Sequence, residues 1–214
     1  MKAISLISGG KDSFLSLLTA LSIGMDVEKT ITVKAELDSM MFHYPNAELG
    51  RALSSMMGID NSLIGESEFN DIISVYRGYF LVAGAVESEF QKTRLEELCV
   101  RFGLIPFFPL WRRNQESIIR EFISTGSRAI FVSVAAEGLG VEFLGRVLDD
   151  ESLSDLIEAN RRNGISIIGE GGEYETLVTC YPQTGKCIKI LDSEVVDRGI
   201  QKNLIIRRYE ITQS

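Results

Sequence analysis

The sequence predicts an α/β protein, a doubly wound, mostly parallel sheet followed by a second, smaller α+β lobe. Three observations carry this. Short apolar runs alternate with amphipathic helical segments through the first hundred residues. The alternation breaks at Ile105-Pro106-Phe107-Phe108-Pro109-Leu110-Trp111, and the tail beyond it turns β-rich. The expected domains are residues 1–105 and 106–214.

Residues 4–7 form the first apolar run and read as a strand. Phe14, Leu17, Leu18 and Leu21 then recur at helical spacing, as do Leu49, Ala52, Leu53 and Met56, with Asn46 available as an N-cap. Between these helices residues 30–37 read as a strand, and a third strand is expected near 62–64, before a short helix around 71–76. Residues 79–83 are nearly all apolar, as in a strand buried on both faces. A helix over 87–101 follows, with Leu95, Leu98, Cys99 and Phe102 on one side. The second lobe is expected to hold helices at 114–125 and 152–162, strands at 129–134 and 165–168, and short strands at 186–191 and 204–211.

A chain of 214 residues with 45% apolar content can bury a sizeable core. No apolar run approaches a membrane span, and Met1-Lys2-Ala3-Ile4 lacks a signal-peptide pattern, so a soluble, cytoplasmic protein is expected, with no membrane partner. Lys and Arg total 22 against 30 Asp and Glu; the net charge of −8 disfavours general nucleic-acid binding. Arg112-Arg113 and Arg161-Arg162 read as solvated helix edges. Cys99, Cys180 and Cys187 are odd in number without zinc-site spacing, so reduced thiols are expected, Cys99 in the core. His43 is the single histidine, which excludes a multi-histidine metal centre and a Ser-His-Asp relay.

Ser8-Gly9-Gly10-Lys11-Asp12-Ser13 joins the first strand to the first helix. Such a turn aims backbone N–H groups at one point, where the positive end of the helix dipole also lies, and phosphate binds there. The spacing differs from the Walker pattern GxxxxGK[ST]. Two adjacent glycines make a shorter nest, with Ser8, Ser13 and Lys11 available to pyrophosphate oxygens. Asp12 suits helix capping or holding Mg²⁺. The loop resembles the PP-loop of the ATP pyrophosphatases, which cleave ATP between the α and β phosphates.

Gly169-Glu170-Gly171-Gly172-Glu173-Tyr174-Glu175-Thr176 packs three carboxylates and three glycines into one turn, expected directly after a strand. Like charges this close repel unless a cation or a set of N–H donors compensates. Mg²⁺, ammonium, or a cationic substrate group stacked on Tyr174, Trp111 or Tyr181 would each serve; a solvent-exposed acidic turn feeding a helix is the plain alternative.

Together with Met41-Phe42-His43-Tyr44-Pro45-Asn46, the stretch from Gly84 to Arg94 and Pro109-Leu110-Trp111, the two motifs are similar to those of the diphthine–ammonia ligase family of PP-loop ATPases. The resemblance covers essentially the whole chain. Phe90 stands where the family usually has Tyr, and Val86 where it usually has Ile. It implies a PP-loop ATPase-like fold, ATP and Mg²⁺, and amidation of the diphthine carboxylate of translation elongation factor 2 by free ammonia through an acyl-adenylate. Ser8, Gly9, Gly10, Lys11, Asp12, Ser13, His43, Gly84 and Ala85 would then bind nucleotide. Gly171, Gly172, Glu173, Tyr174, Glu175, Thr176, Gln91, Arg94 and Trp111 would bind substrate, and Lys11, Asp12, Glu170, Glu173 and Glu175 would act in catalysis. The alternatives are a PP-loop enzyme adenylating another acid or a tRNA base, and a nucleotide sensor without turnover. The sequence leaves a homo-oligomer open.

Overall fold

In the computed structural model, which describes residues 1–34, 46 and 48–213, the chain forms two units, Met1–Arg112 and Arg113–Ser214. The first contains β1 (Lys2–Leu6), α1 (Lys11–Ser22), β2 (Asp26–Lys34), α2 (Glu48–Met57), β3 (Asn61–Gly65), α3 (Phe69–Ser74), β4 (Phe80–Val82), α4 (Glu89–Phe102) and β5 (Ile105–Phe107). All five strands are parallel, in the order β3-β2-β1-β4-β5. The inner strands are apolar because both faces are covered; Ile4, Ile31, Leu81 and Leu95 pack in one core. Cys99 lies in that core, as its helical position predicts.

Helices sit where apolar spacing puts them, but strand ends differ. The segment 105–107, which looks like a break, is an edge strand that among the described residues pairs only with β4, a position where Pro106 removes no needed ladder donor. β2 begins at Asp26, earlier than expected, and residues 35–37 of the predicted strand lie outside the described residues. His43 and its segment 41–45 lie outside them too.

The second unit contains α5 (Gln115–Ser124), β6 (Arg128–Val134), α6 (Asp150–Asn163), β7 (Tyr174–Tyr181), β8 (Lys186–Arg198) and β9 (Gln201–Gln213). The four strands form a closed antiparallel barrel in the order β6-β7-β8-β9. The strand expected at 165–168 is absent: Ile165 and Ile168 are buried, but in an irregular segment, so their apolarity reports burial and not extended pairing. The strand starts instead at Tyr174, so the acidic motif runs into a strand and does not follow one. β8 and β9 span 13 residues each, beyond the short apolar runs, because exposed polar residues such as Asp192, Glu194 and Arg208 continue the hairpin ladder.

The expectation of reduced thiols also fails for two cysteines. Cys180 and Cys187 are direct cross-strand partners of β7 and β8 and are joined by a disulfide; Cys99 is free. A hairpin turn between them supplies the proximity that linear spacing does not reveal. Among the described residues, no helix is long and apolar enough to cross a membrane.

Candidate functional site

The glycine-rich loop leaves β1 and enters α1 at Lys11. Gly9 has φ +94°, in the left-handed region that an L side chain resists, so the turn into the helix needs glycine there. Gly10 occupies the N-cap with extended backbone and no side-chain cap bond. The two serines brace the loop. Ser8 N–H donates to Ser13 Oγ (3.2 Å), Gly10 N–H donates to Ser8 Oγ (3.3 Å), and Ser13 Oγ donates to the Gly10 carbonyl (3.0 Å). The Lys11 ammonium is buried and lies 2.9 Å from Asp12 Oδ2, so its charge is held at the loop.

Gly84, just beyond β4, abuts this loop. A Cβ there would lie 2.6 Å from Ser13 N and 2.7 Å from the Asp12 carbonyl carbon, atoms that cannot swing aside. Ala85 beside it is buried. Strands β2 and β3 lie on one side of β1, and β4 and β5 on the other. The loop and residues 84–85 therefore meet at the topological switch point, at the carboxyl ends of the strands, where open α/β sheets bind ligands.

Ser88 caps α4 by accepting from Gln91 N–H (3.3 Å). Gln91 is half-buried, whereas Arg94 is exposed and 3.6 Å from Glu97. Trp111 stands beside this helix with two cations over its ring, Lys92 Nζ at 5.3 Å and Arg112 Cζ at 5.6 Å from the centroid. Arg112 N–H donates to the Val86 carbonyl (2.8 Å), and its guanidinium pairs with Glu89. The structure thus brings Trp111 to the helix of Gln91 and leaves Arg94 on an outer surface.

In the second unit the glutamate turn is closed by its own backbone. Gly169 N–H donates to the Ser166 carbonyl and Gly172 N–H to the Gly169 carbonyl, both at 3.1 Å. Glu173 folds back into the turn: Oε1 accepts from Ser166 N–H (2.9 Å) and Oε2 from Gly171 N–H (2.8 Å). Of the two means of offsetting a carboxylate's charge, N–H donors serve at Glu173. Tyr174 is buried with its ring 5.1 Å from Phe131 and its hydroxyl donating to the Ile167 carbonyl (2.7 Å). A ring packed this way is a core residue, not an open stacking face. Tyr181 is also buried, and burial pushes its phenol pKa up. Glu175 and Thr176 lie on β7, opposite Ser133 and Phe131 of β6.

Sequence reasoning missed Gln115. Its Oε1 accepts from Ser166 Oγ and from Ile168 N–H, both at 3.2 Å, anchoring the segment before the turn to the start of α5. The partners lie 51 and 53 residues away in sequence, and no local pattern marks them. Among the described residues, no three His, Cys, Asp or Glu side chains cluster as a metal site.

The sheet order, with a glycine turn at the switch point between β1 and β4, defines a doubly wound, parallel-sheet α/β protein of the kind that binds its ligand at that point. Residues 1–106 match the family model described as the diphthamide synthase N-terminal domain, and residues 114–211 match the C-terminal domain. The chain belongs to this family. It is 31% identical to a human protein named diphthine–ammonia ligase, over 92% of this chain and 85% of that one. It is 30% identical to a Schizosaccharomyces pombe protein of the same name over 93% of this chain, but spans only 38% of that longer protein. A crystal structure described as a predicted subunit of tRNA methyltransferase from Methanocaldococcus jannaschii covers 85% of the chain with a TM-score of 0.46 and 16% identity, a distant likeness.

Proposed function

We propose that the protein is an ATP-dependent carboxylate–ammonia ligase that amidates diphthine, the modified histidine of translation elongation factor 2, in the cytoplasm. The observation that carries this reading is a family match across both halves of one chain that holds a phosphate-type glycine turn and the glutamate turn.

A carboxylate resists attack by ammonia because its charge repels the nucleophile and oxide is a poor leaving group. Activation comes first. A carboxylate oxygen bonds to the α-phosphorus of ATP while the α–β anhydride breaks and pyrophosphate leaves. Ammonia then bonds to the acyl carbon, AMP departs, and the nitrogen loses a proton. In this scheme the backbone at Gly9 and Gly10, the Ser8 and Ser13 hydroxyls and Lys11 receive the leaving pyrophosphate. Gly84 and Ala85 offer backbone to the adenylate, and His43 orients the nucleotide. Asp12 suits Mg²⁺, which binds through one or two carboxylates plus substrate phosphates and would neutralise charge on them. Glu173 shapes its turn; Glu170 and Glu175 attract ammonium and accept its proton. Gly171, Gly172 and Thr176 frame the acid, with Gln91, Arg94 and Trp111 on the substrate side.

Mass spectrometry of purified elongation factor 2 bearing diphthine, incubated with the protein, ATP, Mg²⁺ and ammonium, tests the reading. The expected result is replacement of OH by NH₂ at the modified histidine, with AMP and pyrophosphate formed in equal amounts. An unchanged mass, or pyrophosphate release that needs tRNA instead, would overturn it. Glu173→Gln replaces one of the two carboxylate oxygens that accept from the Ser166 and Gly171 N–H groups with an NH₂ donor, and should lower amidation turnover by roughly tenfold or more. Unaltered turnover and ammonia KM would argue against a role for this turn.

A further inference from the structure

We infer that a polar row beside the glutamate turn, Glu175 on β7, Ser133 on β6 and Asn203 on β9, with Gln201, binds the ammonium that the proposed reaction consumes. Ser133 is directly opposite Glu175 on one side and directly opposite Asn203 on the other. Directly opposed residues of antiparallel strands project from the same face, so the three side chains form one line across the sheet. Gln201, two residues before Asn203, joins that face and donates from Nε2 to Ser133 Oγ (3.1 Å).

The observation that points to a ligand is at Asn203. Its side chain is 4% exposed, and its buried Oδ1 has no hydrogen-bond partner among the described residues. Buried amide oxygens are rarely left so, because an unmet acceptor is costly in a low-dielectric interior. What the row offers is acceptors: an amide oxygen, a fully buried hydroxyl and a carboxylate at its end. A small cation with several N–H donors matches them. Ammonium has four donors, whereas a trimethylammonium group has none, so this face suits the nitrogen source and not the quaternary amine of diphthine. Glu175 at the end of the row then lies where the proton lost by ammonium would be taken up.

The inference rests on the ligase reading, and two readouts separate them. In kinetics on the full chain, Asn203→Leu should raise the ammonium KM by about tenfold or more while ammonium-independent ATP–pyrophosphate exchange stays within about twofold. Its thermal midpoint should hold or rise, since an unmet polar atom is replaced by an apolar group of similar shape. Gln201→Leu, at a half-buried position, should shift the ammonium KM in the same direction if the first variant fails to fold. The second readout needs no turnover. Ammonium chloride should raise the melting temperature of the unaltered protein above that seen with sodium or tetramethylammonium chloride at equal ionic strength, and Asn203→Leu should abolish the excess. An ammonium KM unmoved in both folded variants, or no ammonium-specific thermal shift, would overturn the inference and leave Asn203 as a hydrated structural residue. Absence of exchange in the unaltered protein, with the thermal shift intact, would instead overturn the ligase reading alone.

Discussion

A single methyl group at position 84 would fall 2.6 Å from the amide nitrogen of Ser13, against backbone of Asp12 and Ser13 that cannot swing aside. Gly84→Ala should therefore cost about 1–3 kcal/mol, as overpacking does. It should also slow ATP-dependent pyrophosphate release far more than the stability loss explains, because the strain falls on the turn proposed to hold pyrophosphate. Urea unfolding and initial rates measured on the same preparation check this. Cys99 makes a pH prediction. Burial pushes its thiol from 9.0 to about 11, so the folded state holds its proton where the unfolded chain has released it. A raised acid pKa leaves stability intact below pH 9 and erodes it as pH rises from there towards 11. Cys99→Ala should flatten this alkaline slope in pH-dependent unfolding, though its lower plateau reflects the cavity left behind. Residues whose chemistry is local, such as Gly9, Lys11 and Cys99, are legible in the sequence because neighbours a few positions away define their roles. Gln115, Ser133 and Asn203 are not, since their partners lie across strands and loops.

Helices declare themselves by spacing, and their ends by caps. α6 begins at Asp150, ahead of the apolar stripe, because Asp149 accepts from Ser152 N–H (2.9 Å) while Ser152 Oγ accepts from Asp149 N–H (2.9 Å). Asp149→Ala should destabilise the protein by about 1 kcal/mol, and Asp149→Asn by much less, measured by chemical denaturation. Strands are less legible. Residues 165–168 have a strand's composition but pack as an irregular segment held by Gln115, whereas the hairpin of β8 and β9 extends into polar sequence. Strand identity depends on a partner for the backbone ladder, and the partner is distant in sequence. The cross-strand disulfide was hidden for the same reason, as the β7–β8 register alone aligns Cys180 with Cys187.

At the scale of the molecule, each unit has its own sheet, and the division falls at Arg112 and Arg113. The parallel sheet of the first unit makes its ladder and one hydrophobic core from its own residues. The fragment Met1–Arg112 should thus fold when expressed alone, with a cooperative thermal transition by circular dichroism and stabilisation by ATP. A non-cooperative melt without nucleotide effect would show that the second unit is needed to complete it. The sequence by itself determined the helices, the parallel sheet and the two glycine turns, because a 3.6-residue period, buried apolar runs and left-handed glycines act over a few neighbouring residues. Tertiary structure alone decided the barrel, the edge role of β5, the cysteine pairing and the polar row at Asn203. Each of these is a juxtaposition across tens of residues, and only strand register brings such groups together.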